Sequence, residues 1–240
     1  MKFEKYLKNI VKPLLKLVFP VKCYGCNIFG YYVCPNCAQR ILRYKNKRCP
    51  FCLCASQVGR LCYRCQKKYF LKQVMILTYY DQALIQKLIQ AMKYSSVYLI
   101  ARDLAQVLYL NFKTYLTTNK LAFIPVPAHK KKITNRGFNQ AVLLARHLSR
   151  ITKLPVNEEL LLKIKNTQAQ MQLKNKEKRK NNQANAFVVN KQNIKKFKNL
   201  EIVLIDDVLT TGSTLIECAK VLNQAGFQNI TAIVLARQTL

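Results

Sequence analysis

From residue 74 onward the apolar residues follow two rhythms. Short, nearly continuous runs at 74–80, 121–126, 184–189, 200–206 and 229–236 have strand length and are rich in Val, Ile and Leu. Between them, 81–94, 101–112, 139–150 and 213–226 repeat their apolar positions every three to four residues, as amphipathic helices do. Asp81 stands where the first of these helices would be capped. Strands alternating with such helices predict an α/β fold, a mostly parallel doubly wound sheet covered on both faces. Ligands of such sheets gather at the carboxyl ends of the strands.

Residues 1–72 break this rhythm. The first 22 have apolar Leu7, Ile10, Val11, Leu14, Leu15 and Val18, but Lys8, Lys12 and Lys16 interrupt any signal-peptide core. An amphipathic lead-in that docks on its own protein is expected there, and no transmembrane segment anywhere. Beyond it, cysteines rather than periodicity set the pattern. A chain of 240 residues, 50% hydrophobic, can bury one ordinary core and carry a small second module. The expected division is 1–72 and 73–240.

Eight of the ten cysteines form four pairs of one spacing: Cys23/Cys26, Cys34/Cys37, Cys49/Cys52 and Cys62/Cys65. A two-residue gap lets both thiolates of a tight turn face one metal, and two turns complete a tetrahedral site, so two structural zinc ions are expected. The rival is a disulfide framework; the lack of a secretion signal favours a reducing cytoplasm and metal. Joining first knuckle to second and third to fourth is simplest, with a crossed arrangement open and Cys54 able to replace Cys52. With four thiolates per ion no position is left for water, so the module is a staple rather than a reaction centre. Cys218 shares an apolar helical face with Leu215, Val221, Leu222 and Ala225 and reads as core.

The formal charge of +31 is far more than solubility needs and calls for a polyanionic partner, unless it is only lysine drift. Residues 1–72 supply +15 of it and 12 of the 24 aromatic residues. Tyr24, Phe29, Tyr31, Tyr32, Tyr44, Phe51, Tyr63, Tyr69 and Phe70 interleave there with Arg40, Arg43, Lys45, Lys47, Arg48, Arg60 and Arg64. Rings on which bases stack, beside cations for phosphates, make a face for single-stranded DNA, unless the rings pack around the knuckles. Residues 199–240 carry −2 and are the one acidic island.

That island contains "IVLIDDVLTTGST". The apolar run 202–205 is a central strand, Asp206 and Asp207 stand at its carboxyl end, and a hydroxyl-rich loop opens a helix. Backbone N–H groups of Val208, Leu209, Thr210, Thr211, Gly212, Ser213 and Thr214, with the helix start behind them, can cradle a phosphate. Gly212 lets the backbone come close. Two carboxylates one sugar-length away can accept from vicinal hydroxyls, so the ligand expected is a ribose 5-phosphate derivative.

This stretch resembles the motif by which type I phosphoribosyltransferases bind 5-phosphoribosyl 1-diphosphate (PRPP). With "IPVPAHKKKITNRGFNQAVLLARHL", "TQAQMQLKNKEKRKNNQANAF" and the cysteine knuckles, nearly the whole chain resembles the ComF family of competence proteins, related to the phosphoribosyltransferase half of amidophosphoribosyltransferases. The resemblance implies a type I phosphoribosyltransferase-like domain behind an N-terminal zinc ribbon. It implies catalytic roles for Asp206, Asp207 and Arg136, with Arg136 on the diphosphate, and magnesium bound with PRPP. Residues 163–183 would supply a mobile hood, where Gln170, Leu173 and Asn181 match and Lys178, next to Arg179, stands in place of an arginine. Ser95 and Ser96 replace an expected glycine after the pair Lys93–Tyr94.

The resemblance further implies a part in natural transformation, at the cytoplasmic face of an uptake complex with a helicase-like partner. Two functions remain: phosphoribosyl transfer to an acceptor that no residue identifies, with His129 either a base or a loop residue, or a non-catalytic PRPP sensor that holds single-stranded DNA. A PRPP-responsive transcription factor would want a helix-turn-helix.

Overall fold

The computed structural model describes residues 21–41, 43–94, 99–118, 120–129, 133–134, 137–164 and 186–238. Four parallel strands form the main sheet: β1 (Gln73–Tyr79), β2 (Leu121–Pro125), β5 (Glu201–Leu209) and β6 (Ile230–Arg237), in the order β1-β6-β5-β2. The two central strands, β5 and β6, are buried on both faces, which is why "IVLI" and "ITAIVLA" read as unbroken apolar runs.

The pleat divides the core in two. Leu77, Phe123, Val203, Ile205, Ile233 and Leu235 face helices α3 (Ala83–Tyr94), α4 (Ile100–Thr118) and α5 (Gln140–Thr152). Ile76, Ile124, Ile202, Leu204, Ala232 and Val234 face α7 (Ser213–Gln224), the short α6 (Ile194–Phe197) and the hairpin of β3 (Leu161–Lys163) and β4 (Phe187–Val189). The alternation assigns successive residues of one strand to opposite layers.

Three expectations change. Within the run at 184–189, Phe187–Val189 does not join the main sheet; as β4 it pairs antiparallel with β3, a strand too short for periodicity to reveal. Helix α3 begins at Ala83, leaving Gln82 rather than Asp81 at the capping position, and the Gln82 amide donates to the Thr78 hydroxyl. Helix α4 runs on to Thr118, past a kink at Phe112 (φ −117°, ψ 17°).

Both sheet edges are covered. Arg43 bridges Thr78, and Tyr44 N–H donates to Leu77 O at 2.9 Å. Arg60 bridges Gln73, and Val74 N–H donates to Gly59 O at 2.8 Å, so the cysteine-rich segment seals β1. On the far side, Phe123 N–H donates to Pro155 O and Asn157 N–H to Phe123 O, closing β2. An edge so paired offers no ladder to another chain. The first cysteine group lies in the layer with α3 and α4, the second in the layer with α7, so the two straddle β1.

Candidate functional site

β5 stays in register beyond its apolar run, with Asp206 opposite Val234 and Val208 opposite Ala236. Asp206 and Asp207 therefore stand on the strand itself, and the loop proper is only Thr210–Gly212. Asp206 Oδ1 accepts from Asp207 N–H at 2.9 Å, and Asp207 Oδ1 from Val208 N–H at 2.8 Å. Burial, reinforced by the neighbouring Asp207 charge, pushes Asp206 up to about 7. The Asp207 N–H and the more distant Lys93 only partly offset this.

Lys93, in the last turn of α3, puts Nζ 2.6 Å from Asp207 Oδ2. Burial works against its ammonium, but Asp207 and then Asp206 outweigh it and raise the lysine above its usual range. Within its helix, which also carries Lys87, nothing local marks Lys93 as the partner of Asp207.

Beyond Leu209, whose carbonyl accepts from Gln238 N–H at 2.9 Å, the chain turns into α7. Gly212 is the N-cap residue at φ 78°, ψ 0°, a left-handed conformation suited to glycine, and as glycine it supplies no side-chain cap of its own. A Cβ there would overlap the Phe51 ring. The Thr211 and Ser213 hydroxyls are 3.1 Å apart, and Ser213 N–H points at Thr211 Oγ1 across 3.4 Å. Thr210 and Thr214 are partly exposed and Val208 half-buried, while Leu209 is core. The loop thus offers hydroxyls and helix-start N–H groups at one sheet end.

The neighbouring β2–α5 connection reaches the same end. Val126 N–H donates to Ile205 O, and Asn139, the N-cap residue of α5, donates through Nδ2 to Val126 O at 2.9 Å while accepting from Ala141 N–H. Gln140 is buried, and its Nε2 has no hydrogen-bond partner among the described residues. A buried amide donor left open is costly unless a ligand or water meets it. Arg136, Ser95, Ser96 and the hood positions Gln170, Leu173, Lys178, Arg179 and Asn181 lie outside the described residues.

The cysteines gather as the local pairing predicts. Cys23, Cys26, Cys34 and Cys37 form one group and Cys49, Cys52, Cys62 and Cys65 another, the sulfurs of each within 4.8 Å of one another. Four thiolates about 2.3 Å from a tetrahedral zinc would be about 3.8 Å apart, so each group fits one ion. Backbone N–H groups of Gly25 and Cys34 donate to Cys23 Sγ at 3.4 Å, the support thiolate ligands need. Gly25 has no room for a side chain, since a Cβ would sit 2.7 Å from Cys37 Sγ. Cys54 stays outside the second four, with its sulfur 3.3 Å from that of Cys52. Cys218 is buried on α7 as expected, and burial raises its thiol well above the usual range.

The anchors of the two groups were not foreseen. Asp103 of α4 accepts from Tyr32 N–H at 2.9 Å, Val33 N–H at 3.3 Å and the Arg102 guanidinium. On the other layer, buried Arg237 donates to Pro50 O at 2.6 Å. The aromatic residues of the segment divide: Tyr44 is buried, whereas Phe29, Tyr31, Tyr63 and Phe70 are exposed. Lys22 lies over the Phe29 ring and Lys67 over that of Tyr63. A cleft of about 940 Å³ between the first group and helices α4 and α5 is edged by Tyr31, Arg43, Arg102, His147 and Arg150. No helix of the described residues is long and apolar enough to cross a membrane.

Residues 133–239 match the phosphoribosyl transferase domain family, which takes in α5, β5, the loop, α7 and β6. Across nearly the whole chain, the protein is similar to competence protein F of Haemophilus influenzae, 34% identical over 90% of each chain. It is 29% identical to the DNA utilization protein YhgH of Escherichia coli over 92% of this chain and 99% of that one. To competence protein ComFC of Streptococcus pneumoniae it is 25% identical, over 85% of this chain and 87% of that one. With two four-cysteine groups fit for a zinc ribbon beside a parallel sheet that ends in an acid pair and a hydroxyl loop, the chain belongs to the ComF family of competence proteins.

Proposed function

We propose that this protein binds PRPP at the carboxyl end of β5 and transfers its phosphoribosyl group to an acceptor while serving DNA uptake. The observation that carries the reading is the acid pair Asp206–Asp207 on the strand, followed within five residues by a glycine-capped helix start. The 5-phosphate lies against the N–H groups and hydroxyls of residues 210–214, and the ribose hydroxyls donate to the two carboxylates. Gln140 Nε2 and Arg136 serve the diphosphate.

In the transfer, the acceptor's lone pair forms a bond to ribose C1 as the C1–O bond to diphosphate breaks. The electron pair leaves with diphosphate, and the acceptor's proton passes to solvent. The carboxylates of Asp206 and Asp207 balance the positive charge that develops on the ring. Magnesium, bound with PRPP, would neutralise the departing diphosphate. Lys93 neutralises Asp207, so the pair is not left as two adjacent negative charges.

Zinc at both cysteine groups fixes the N-terminal segment, residues 1–72, against the sheet domain of residues 73–240. The exposed rings and cations of that segment hold single-stranded DNA, in the cytoplasm and next to a helicase of the uptake machinery. The supports are the relatives' names, "competence protein" and "DNA utilization protein", and the exposed pairs Lys22–Phe29 and Lys67–Tyr63.

The test is calorimetric titration with PRPP and magnesium, with and without a short single-stranded oligonucleotide. Binding lost in the Asp206→Asn/Asp207→Asn variant, with an unchanged far-ultraviolet spectrum, is the expected result. Equal affinity in that variant would remove the ribose assignment.

A further inference from the structure

The second cysteine group is far from the acid pair in sequence, yet it touches the phosphate loop. Between Cys49 and Cys52 stand Pro50 and Phe51. The Phe51 ring lies against Gly212 so closely that any Cβ would overlap it, 2.9 Å from Cδ1 and closer still to Cε1. Its other contacts hold it there: Tyr69, from the helix α2 (Tyr63–Tyr69) that carries Cys65, meets it edge-on with ring centroids 5.1 Å apart. Pro50 O receives the buried Arg237 guanidinium at 2.6 Å, and Arg237 pairs in register with Leu209, the last residue of β5. Cys49, Cys65, Leu209 and Leu215 belong to one apolar cluster.

We propose that Phe51 is a positioning residue of the phosphate loop: the Cys49–Cys52 knuckle holds Gly212 in its left-handed conformation, so the state of the second cysteine group sets how tightly the loop takes a sugar phosphate. The physical reason is entropic. A three-residue loop that ends in a glycine samples other conformations, and each must be given up when a phosphate binds. A ring pressed on the one residue that combines a positive φ with no side chain removes those alternatives beforehand. The ring itself is useful only while its knuckle is folded, and that turn depends on its thiolates having a common metal. The ligand class rests on the PRPP reading above; the mechanical link does not.

The experiment is hydrogen exchange and ligand titration on the full-length, zinc-loaded protein and its Phe51→Ala variant. Expected in the variant are two zinc ions per chain, at least tenfold faster exchange of the amides of residues 210–213, unchanged exchange in β5 and β6, and an affinity for ribose 5-phosphate about tenfold weaker. Phe51→Leu, which refills most of the volume, should restore both to within threefold. Should Phe51→Ala shed zinc, Arg237→Gln repeats the test from the sheet side with every cysteine and Phe51 in place. Loop exchange unchanged in a variant that keeps its zinc overturns the proposal. Faster loop exchange in a protein whose wild type binds no ribose 5-phosphate upholds the positioning role and removes the PRPP reading instead.

Discussion

The two cysteine groups use the same four-thiol arrangement and differ in what they are fastened to. The first is clasped by an acid: Asp103 accepts from the backbone N–H groups of Tyr32 and Val33, on the layer of α3 and α4. The second is clasped by a base, with Arg237 donating to Pro50 O on the layer of α7. Among the described residues, it is the second that carries a ring to the loop before α7. On the proposal above, a repeated four-cysteine unit is a pure staple in one copy and part of a ligand site in the other, and the fastening rather than the ligand set decides which.

The comparison can be broken or sharpened by experiment. The largest effect should come from the loop side alone: Asp206→Asn with Asp207→Asn weakens PRPP at least 100-fold in a titration, with both zinc ions retained. Next, Asp103→Ala removes the acceptor that the Tyr32 and Val33 N–H groups of the first cysteine group share and should cost about 2 kcal/mol of stability in chemical denaturation, the scale for a lost buried acceptor. It should leave ribose 5-phosphate binding unchanged, and a large loss of binding would dissolve the contrast between the two groups.

Third, Cys49→Ser and Cys23→Ser should each release one zinc ion in a chelator assay. Affinity for ribose 5-phosphate should fall about tenfold in the first and less than threefold in the second; equal losses would make both groups general staples. The smallest effect is in pH. Asp206 titrates near 7 in the folded chain, above its usual carboxylate value, so the folded state holds more protons than the unfolded one between about pH 4 and 7. Its contribution to stability therefore declines as pH rises through that window. Ribose binding, which needs the carboxylate, should strengthen several-fold from pH 6 to 8, and Asp206→Asn should flatten both trends.

Much of this architecture is legible in the chain because it is local. Cys-x-x-Cys pairs, the run from Ile202 to Ile205 and the hydroxyls after Asp207 announce themselves within a dozen residues. What the sequence does not announce is pairing at a distance. Lys93 meets Asp207, Asp103 meets Tyr32, and Phe51 meets Gly212 only because α3, α4 and the knuckles return to particular strands. β3 escaped because three residues cannot display a period. Nothing in "ANAFVV" distinguishes a hairpin arm, which Phe187–Val189 forms, from a neighbour in the parallel sheet.

The strand order also has a consequence for how the protein comes into being. β1, the first strand made, takes its ladder partner from β6, the last, and the bond from Arg237 to Pro50 spans 187 residues. On the ribosome, the knuckles can fill with metal as soon as they emerge, since all four thiols of each group lie within a short stretch. Phe51 must then wait, through the synthesis of almost everything else, for the glycine it will rest on. Such non-local closure is slow and exposes apolar surface in the meantime. A nascent chain stalled before residue 230 would hold its metal and a bare β1 edge, with no partner strand to cover it.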